Sequence, residues 1–252
     1  MDDKQVMIDV DSVTIRFNLA NQKVDNLKEY FVKLLKKELN YQDFLAVKDV
    51  SFKVHKGEAW GLIGTNGSGK STLLKTISGI LTPYKGKVTV NGDVAPLIEL
   101  GAGFDPELTA RENIFLNGCV LGHSEKFMAE HFDEIVDFAG IHKFIDSPLK
   151  NFSSGMRARL GFSVATMVKP DILIVDEILS VGDYQFKQKC QARMKELLSD
   201  GTTLLYVSHN IKEVLRLCDH ALWIDKGVER MQGDAKTVCA AYMKEMEEPN
   251  VK

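Results

Sequence analysis

Residues 64–72, GTNGSGKST, set Gly64, Gly69, Lys70 and Ser71 at the spacing G-x-x-x-x-G-K-[ST]. The apolar run EAWGLIG precedes them and the helical pattern STLLKTISGI follows. Glycines here let the backbone N–H groups of Thr65, Asn66, Gly67 and Ser68 wrap a β-phosphate without Cβ clashes. The helix start at Lys70, Ser71 and Thr72 adds its dipole. Lys70 brings a point charge to the β- and γ-phosphates, and Ser71 offers a hydroxyl to Mg²⁺. By composition the bare pattern occurs by chance in roughly one chain of this length in a hundred. With a strand before it and a helix after it, it reads as a nucleotide site.

Two further polar groups stand at strand ends. Asp176 closes the run DILIVDE, where it can hold Mg²⁺ through water, and Glu177 beside it can orient and polarise an attacking water. An acidic pair in this place can also cap the next helix; beside a phosphate loop the chemical role is the expected one. His209 ends the run TTLLYVSH. In a parallel α/β sheet, ligands bind at the carboxyl ends of the strands. Three polar strand ends on one edge therefore favour a γ-phosphate sensor at His209 over a helix-start residue. A third feature lies at 151–165, NFSSGMRARLGFSVA, where Ser153, Ser154 and Gly155 open a helix with Met156, Leu160 and Val164 at helical spacing. Such a start leaves backbone N–H groups for an anion, although an ordinary Ser N-cap gives the same pattern.

The elements that must position these residues alternate in period. The stretches 6–17 and 46–54 alternate apolar with polar, as half-buried antiparallel strands do. The runs 58–64, 171–177 and 202–209 are nearly continuous apolar stretches, each followed by a helical pattern, which is how buried parallel strands read. From about 97 to 168 helical stretches replace strands, among them 109–122 and 125–140, and 219–234 reads as strand, Lys-Gly turn, strand. The expected fold class is α/β: a P-loop NTPase core with a mostly parallel sheet, an antiparallel β layer and an inserted helical subdomain. Residues 1–96 and 169–252 would form the nucleotide-binding core, and 97–168 the helical subdomain. The tail KEMEEPNVK is expected to be disordered.

Composition excludes other classes. Apolar residues at 44% and charged residues at 27% suit a soluble globular chain of 252 residues. A net charge of −3 is not the basic footprint of nucleic-acid binding, so no nucleic acid is expected as a partner. Cys119, Cys190, Cys218 and Cys239 form no C-x-x-C pair and read as free thiols in a reducing compartment. The N-terminus lacks a signal-peptide core, and no apolar run approaches the ~18 residues that cross a bilayer.

The set GTNGSGKST, FSSGM, ILIVDE, LSVGD (179–183) and SH (208–209), in this order, resembles the ATP-binding-cassette ATPases over nearly the whole chain. The resemblance implies ATP with Mg²⁺ and a head-to-tail homodimer that sandwiches two ATP molecules. Each would be held by one subunit's phosphate loop and the other's signature helix. FSSGM stands where the family's Leu-Ser-Gly-Gly-Gln signature would be and keeps Ser153 and Gly155, so its anion would be the γ-phosphate bound to the partner. Asp183 would be the aspartate coupling the two sites, and Phe17 the aromatic that stacks on adenine, its alternative being a core residue. Two positions depart from the pattern. Glu99 stands at the nearest equivalent of a family glutamine, where a carboxylate can bind Mg²⁺ or water but cannot donate as an amide can. Met156 replaces the signature's polar last residue.

LIELGAGFDPELTARENI, FSSGMRARLGFSVAT and VDEILSVGD look like the cassettes that export lipid-linked polysaccharides: teichoic acids, O-antigens, capsular or rhamnose-containing glycans. That subset implies a separate integral membrane permease, in two copies, at the cytoplasmic face of the membrane. Some of its members carry a carbohydrate-binding domain after the cassette, for which the sequence is expected to leave no room. The insertion 21–44 puts Leu27, Tyr30, Phe31, Leu34 and Leu35 on one helical stripe and Lys28, Lys33, Lys36 and Lys37 on the other side. Such a helix packs on its own domain or lies at the bilayer interface or against the permease. The alternatives are a cassette for another solute and a soluble cassette ATPase working on nucleic acid or ribosomes. No N-K-x-D guanine-reading motif occurs, which disfavours a GTPase.

Overall fold

The structure is a computed structural model and describes residues 5–20, 41–98, 101, 103–176 and 183–247. Two sheets and a group of helices share three apolar cores. The first sheet is antiparallel. β1 (Val6–Ala20) lies between β2 (Tyr41–His55) and β4 (Lys85–Val90), so the two alternating stretches pair as their period demands. Their inward residues, Ile8, Val10, Val13, Val47, Val50 and Val54, are all at most 1% exposed.

The second sheet has the order β5-β6-β7-β3-β8-β9, parallel except for the last strand. Its central members are β3 (Ala59–Ile63), β6 (Ile172–Asp176) and β7 (Thr203–Val207), the three continuous apolar runs. Both faces of these strands are covered, which is why they do not alternate. One face meets the antiparallel sheet and α1 (Lys70–Ile77) through Leu62, Ile174, Leu205 and Leu74. The other meets α6 (Tyr184–Ser199), α7 (Ile211–Leu217) and α8 (Ala235–Glu247) through Ile63, Leu173, Phe186, Val214 and Val238. Burying one such side chain contributes about 1.5–3 kcal/mol. β8 (His220–Asp225) and β9 (Val228–Asp234) form the expected hairpin on a turn at Lys226–Gly227, both with positive φ.

Between β5 (Val94–Leu97) and β6 the described residues form no named strand. α2 (Ala110–Val120), α3 (Glu125–Glu130), α4 (Phe132–Ala139) and α5 (Ser154–Ala165) enclose their own core around Ile114, Met128, Ile135, Leu149 and Leu160. Local chemistry starts these helices. Thr109 and Glu112 form a reciprocal capping box at α2, and Ser124 and Ser153 cap α3 and α5.

Four readings of the sequence are adjusted. The helical stretch 125–140 is two helices, broken at His131, whose φ of −105° and ψ of 4° leave the α region and whose ring bonds the Phe127 carbonyl at 2.9 Å. β4 and β5 do not announce themselves, because β4 is a half-exposed edge and β5 carries Pro96, tolerated only at the sheet edge that β5 occupies. Residues 244–247 of the supposed tail continue α8. The helical insertion read at 21–44 ends earlier, since residues 41–44 belong to β2; its stripe at 27–37 lies outside the described residues.

Candidate functional site

The register of the parallel sheet sets the site. Leu62 pairs with Val207, and Val207 with Asp176, so three neighbouring strands end level. The phosphate loop leaves the first, Ser208 and His209 leave the second, and Asp176 closes the third. The sequence-identified groups therefore share one edge of the sheet.

Within the loop, backbone geometry explains the glycines. Gly64 has φ of 146°, and a Cβ there would lie 2.1 Å from the Ile224 carbonyl oxygen. At Gly69, φ is 106° and a Cβ would lie 2.4 Å from the Ala46 carbonyl oxygen. Neither contact is tolerable, so β8 and β2 press directly on the loop. The hairpin turn fastens it further: Gly227 N–H donates to the Ser68 carbonyl at 2.9 Å, and Lys48 N–H donates to the Gly227 carbonyl at 2.7 Å. The Lys-Gly turn thus clamps the phosphate loop to β2. The Ser68 hydroxyl is buried without a hydrogen-bond partner among the described residues.

Lys70 is 8% exposed, and its ammonium donates to the Gly64 and Thr65 carbonyls, both at 2.9 Å. Burial holds its pKa below the ordinary lysine value, with the Asp176 charge opposing that shift. Asp176 shows the complementary case. Burial raises its pKa, against the Ser71 hydroxyl that donates to it and the charges of Lys70 and Lys75. A hydroxyl and a carboxylate in contact, beside a buried cation, are the hard-oxygen pair that a water-rich Mg²⁺ site needs.

A cavity of about 310 Å³ opens over these groups. Phe17, Asn66, Gly67, Gly69, Lys70, Ser71, Thr72 and Asp176 line it, together with three residues that the motifs do not mark: Phe44, Ala46 and Val207. Gly64, Thr65 and Ser68 support the loop without lining the cavity, and His209 is exposed just beyond β7. Glu177 and Glu99 lie outside the described residues.

Ser153, Ser154, Gly155 and Asp183 do not line this cavity. Ser153 is the N-cap of α5, its Oγ accepting from Met156 N–H at 3.2 Å, and both serines are exposed. A Cβ at Gly155 would meet only the Ser153 Oγ, at 3.9 Å. Nothing among the described residues requires a glycine there. Asp183 caps α6, accepting from Phe186 N–H at 2.9 Å, and its second oxygen accepts from Arg159 of α5. The Phe186 amide, and after it the Arg159 charge, hold this carboxyl below the usual carboxylate range. The signature helix and the start of α6 are therefore tied together, a link that spacing alone does not reveal.

Comparison with known proteins agrees with this geometry. The sequence model of the ABC transporter family matches residues 47–180. The O-antigen export system ATP-binding protein RfbB of Klebsiella pneumoniae is 47% identical over 208 residues, 82% of this chain and 85% of that protein. The teichoic acids export ATP-binding protein TagH of Listeria innocua is 41% identical over 239 residues, 95% of this chain and 70% of that protein. Among solved structures, the ATP-binding cassette MJ0796, in a dimeric post-hydrolysis state bound to ADP and Pi, covers 91% of this chain and 99% of its own with a TM-score of 0.72. At 20% identity that likeness concerns the fold. A family match over more than half the chain, and relatives 47% and 41% identical along most of their length, agree with the phosphate loop and the level strand ends: the chain belongs to the ABC transporter family, among its ATP-hydrolysing subunits.

Proposed function

We propose that this chain is the ATPase subunit of an exporter that moves a lipid-linked polysaccharide of teichoic acid, O-antigen, capsule or rhamnan type across the cytoplasmic membrane. It works as a homodimer at the cytoplasmic face, bound to a separate integral membrane permease in two copies. The names of the relatives carry the glycan: proteins 47% and 41% identical are ATP-binding proteins of O-antigen and teichoic acid export. No helix among the described residues is long and apolar enough to cross a membrane, so the reading needs that second chain. In the proposed division, 1–96 with 169–252 bind nucleotide and 97–168 carries the signature.

The observation that supports the dimer is the start of α5. It is dressed for an anion, lies outside its own cavity and keeps a glycine that nothing among the described residues requires. A phosphate approaching from a second copy explains all three. Asp183, tied to Arg159 of that helix, then moves with it and links the two sites.

Within one site the residues divide the work. The loop amides from Gly64 to Gly69 hold the β-phosphate, and Phe17 stacks on the base. Lys70 exchanges its carbonyl partners for the β- and γ-phosphates. Ser71 and Asp176 would hold Mg²⁺, with Glu99 as a third candidate ligand; when bound, the ion offsets the charge of the phosphates. Glu177, next in the chain after Asp176, orients the attacking water and takes its proton, while His209 contacts the γ-phosphate. In-line attack at phosphorus breaks the bond to the β-phosphate oxygen and leaves ADP and inorganic phosphate.

Export itself supplies the test. Depleting this chain in its own cell should leave the lipid-linked glycan on the cytoplasmic leaflet, shielded from an impermeant glycan-cleaving enzyme until the cells are opened. Glycan that reaches the outer leaflet at the normal rate in depleted cells would contradict the assignment.

A further inference from the structure

We propose that Phe44 is a second base-contacting residue, so that the nucleotide base is gripped by two aromatic rings on paired strands and not by Phe17 alone. The inference rests on the reading of the 310 Å³ cavity as the ATP site.

Phe17 of β1 and Phe44 of β2 are direct partners in the antiparallel register. Residues directly opposite project from the same face of a sheet, with Cβ atoms about 4.5–5.5 Å apart. Both side chains line the cavity that Lys70, Ser71 and Asp176 close at its phosphate end. Their environments differ. Phe17 packs partly against the main core, whereas Phe44 belongs to no core cluster and is 49% exposed. An isolated exposed aromatic needs no explanation. One that forms the wall of a nucleotide cavity, across from the ring expected to stack, leaves an apolar face for a flat ligand to cover.

The pair is held in place by its neighbours. Arg16 and Asp43, the residues just before each ring, form an ion pair at 3.2 Å. The Arg16 guanidinium lies 3.9 Å from the centroid of the Tyr84 ring, and Tyr84 N–H donates to the Thr14 carbonyl at 2.8 Å. The strand arm that carries both phenylalanines is thereby pinned next to β4.

The chemistry of the grip predicts its selectivity. Among the described residues, the cavity's walls away from the phosphate end are Phe17, Phe44 and Ala46, whose side chains carry no hydrogen-bonding atom. Such walls read the area and π-face of a base, not the pattern of its edge. Adenine and guanine nucleotides should both depend on Phe44, and a ligand without a base should not.

Calorimetric titration of the intact chain with ATP, GTP and inorganic tripolyphosphate tests this, on wild type and the variants Phe44→Ala, Phe44→Leu and Phe44→Tyr. Loss of one stacking ring should weaken ATP and GTP about tenfold in Phe44→Ala and Phe44→Leu, while Phe44→Tyr stays within about threefold of wild type. Tripolyphosphate should bind all four proteins alike. Wild-type ATP affinity in Phe44→Ala would overturn the second ring, as would wild-type affinity in Phe44→Leu, which would make bulk and not the ring the contact. An equal loss for tripolyphosphate would also overturn it, since the damage would then lie in the loop. If wild type binds ATP and tripolyphosphate and Phe44→Ala matches it, only the second ring falls. If wild type binds neither, the nucleotide site falls and this inference with it.

Discussion

Glu177→Gln should bind ATP as wild type does and hydrolyse it about 10²–10⁴-fold more slowly. Asp176 ends β6 level with Val207 and in contact with Ser71, and Glu177 is the next residue in the chain. The amide keeps the size of the side chain and removes its negative charge, so it can neither take a proton from water nor polarise it as a carboxylate does. Binding is left intact because the phosphate contacts belong to the loop. The variant should therefore collect as an ATP-bound dimer, visible as a shift in size on a column run with ATP. Steady-state hydrolysis close to wild type would remove Glu177 from the catalytic role.

Lys70→Ala should act at the step before. The ammonium is almost fully buried and already placed by two carbonyls at 2.9 Å. Hydrogen bonds to charged groups are worth about 1.5–3 kcal/mol each, so losing two phosphate contacts predicts at least about a hundredfold weaker ATP binding. A second consequence follows from the same deletion. Lys70 offsets part of the burial that raises the Asp176 pKa, so without it that carboxyl is driven further toward its neutral form, which is a poorer Mg²⁺ ligand. Mg²⁺-ATP should suffer more than free ATP. Titration of both forms checks this; affinity within about tenfold of wild type would mean that the loop amides alone carry the phosphates.

What could be read from the sequence is what the chain keeps contiguous. The phosphate loop, the acidic strand end, the histidine after β7 and the capped start of α5 each sit in a short window with its own periodicity, and each stands where its neighbours predict. What could not be read depends on register or on distant packing. Phe44 falls within the insertion 21–44 as read from the sequence, and only the pairing of β1 with β2 brings it opposite Phe17. The carbonyl of Ala46 meets Gly69 and Gly227, which ties the hairpin turn to the loop without any side-chain pattern. The Arg159–Asp183 pair joins two helices that flank β6, and its residues look like ordinary surface charges in the sequence. β5 was hidden because its Pro96 argues against a strand anywhere but at an edge.

The central claim is that each ATP lies between two copies of this chain, held by the phosphate loop of one and the Ser153 helix start of the other. A mixed dimer tests it directly, with Lys70→Ala in one copy and Ser153→Arg in the other. If the sites are shared, one composite site carries both lesions and the other carries none. The homodimer of either variant carries a lesion in both sites. The quantity to measure is ATP occluded per dimer, after trapping with Glu177→Gln in both copies. A shared site predicts one ATP per mixed dimer and close to none in either variant homodimer; a mixed dimer as empty as the homodimers would contradict the account.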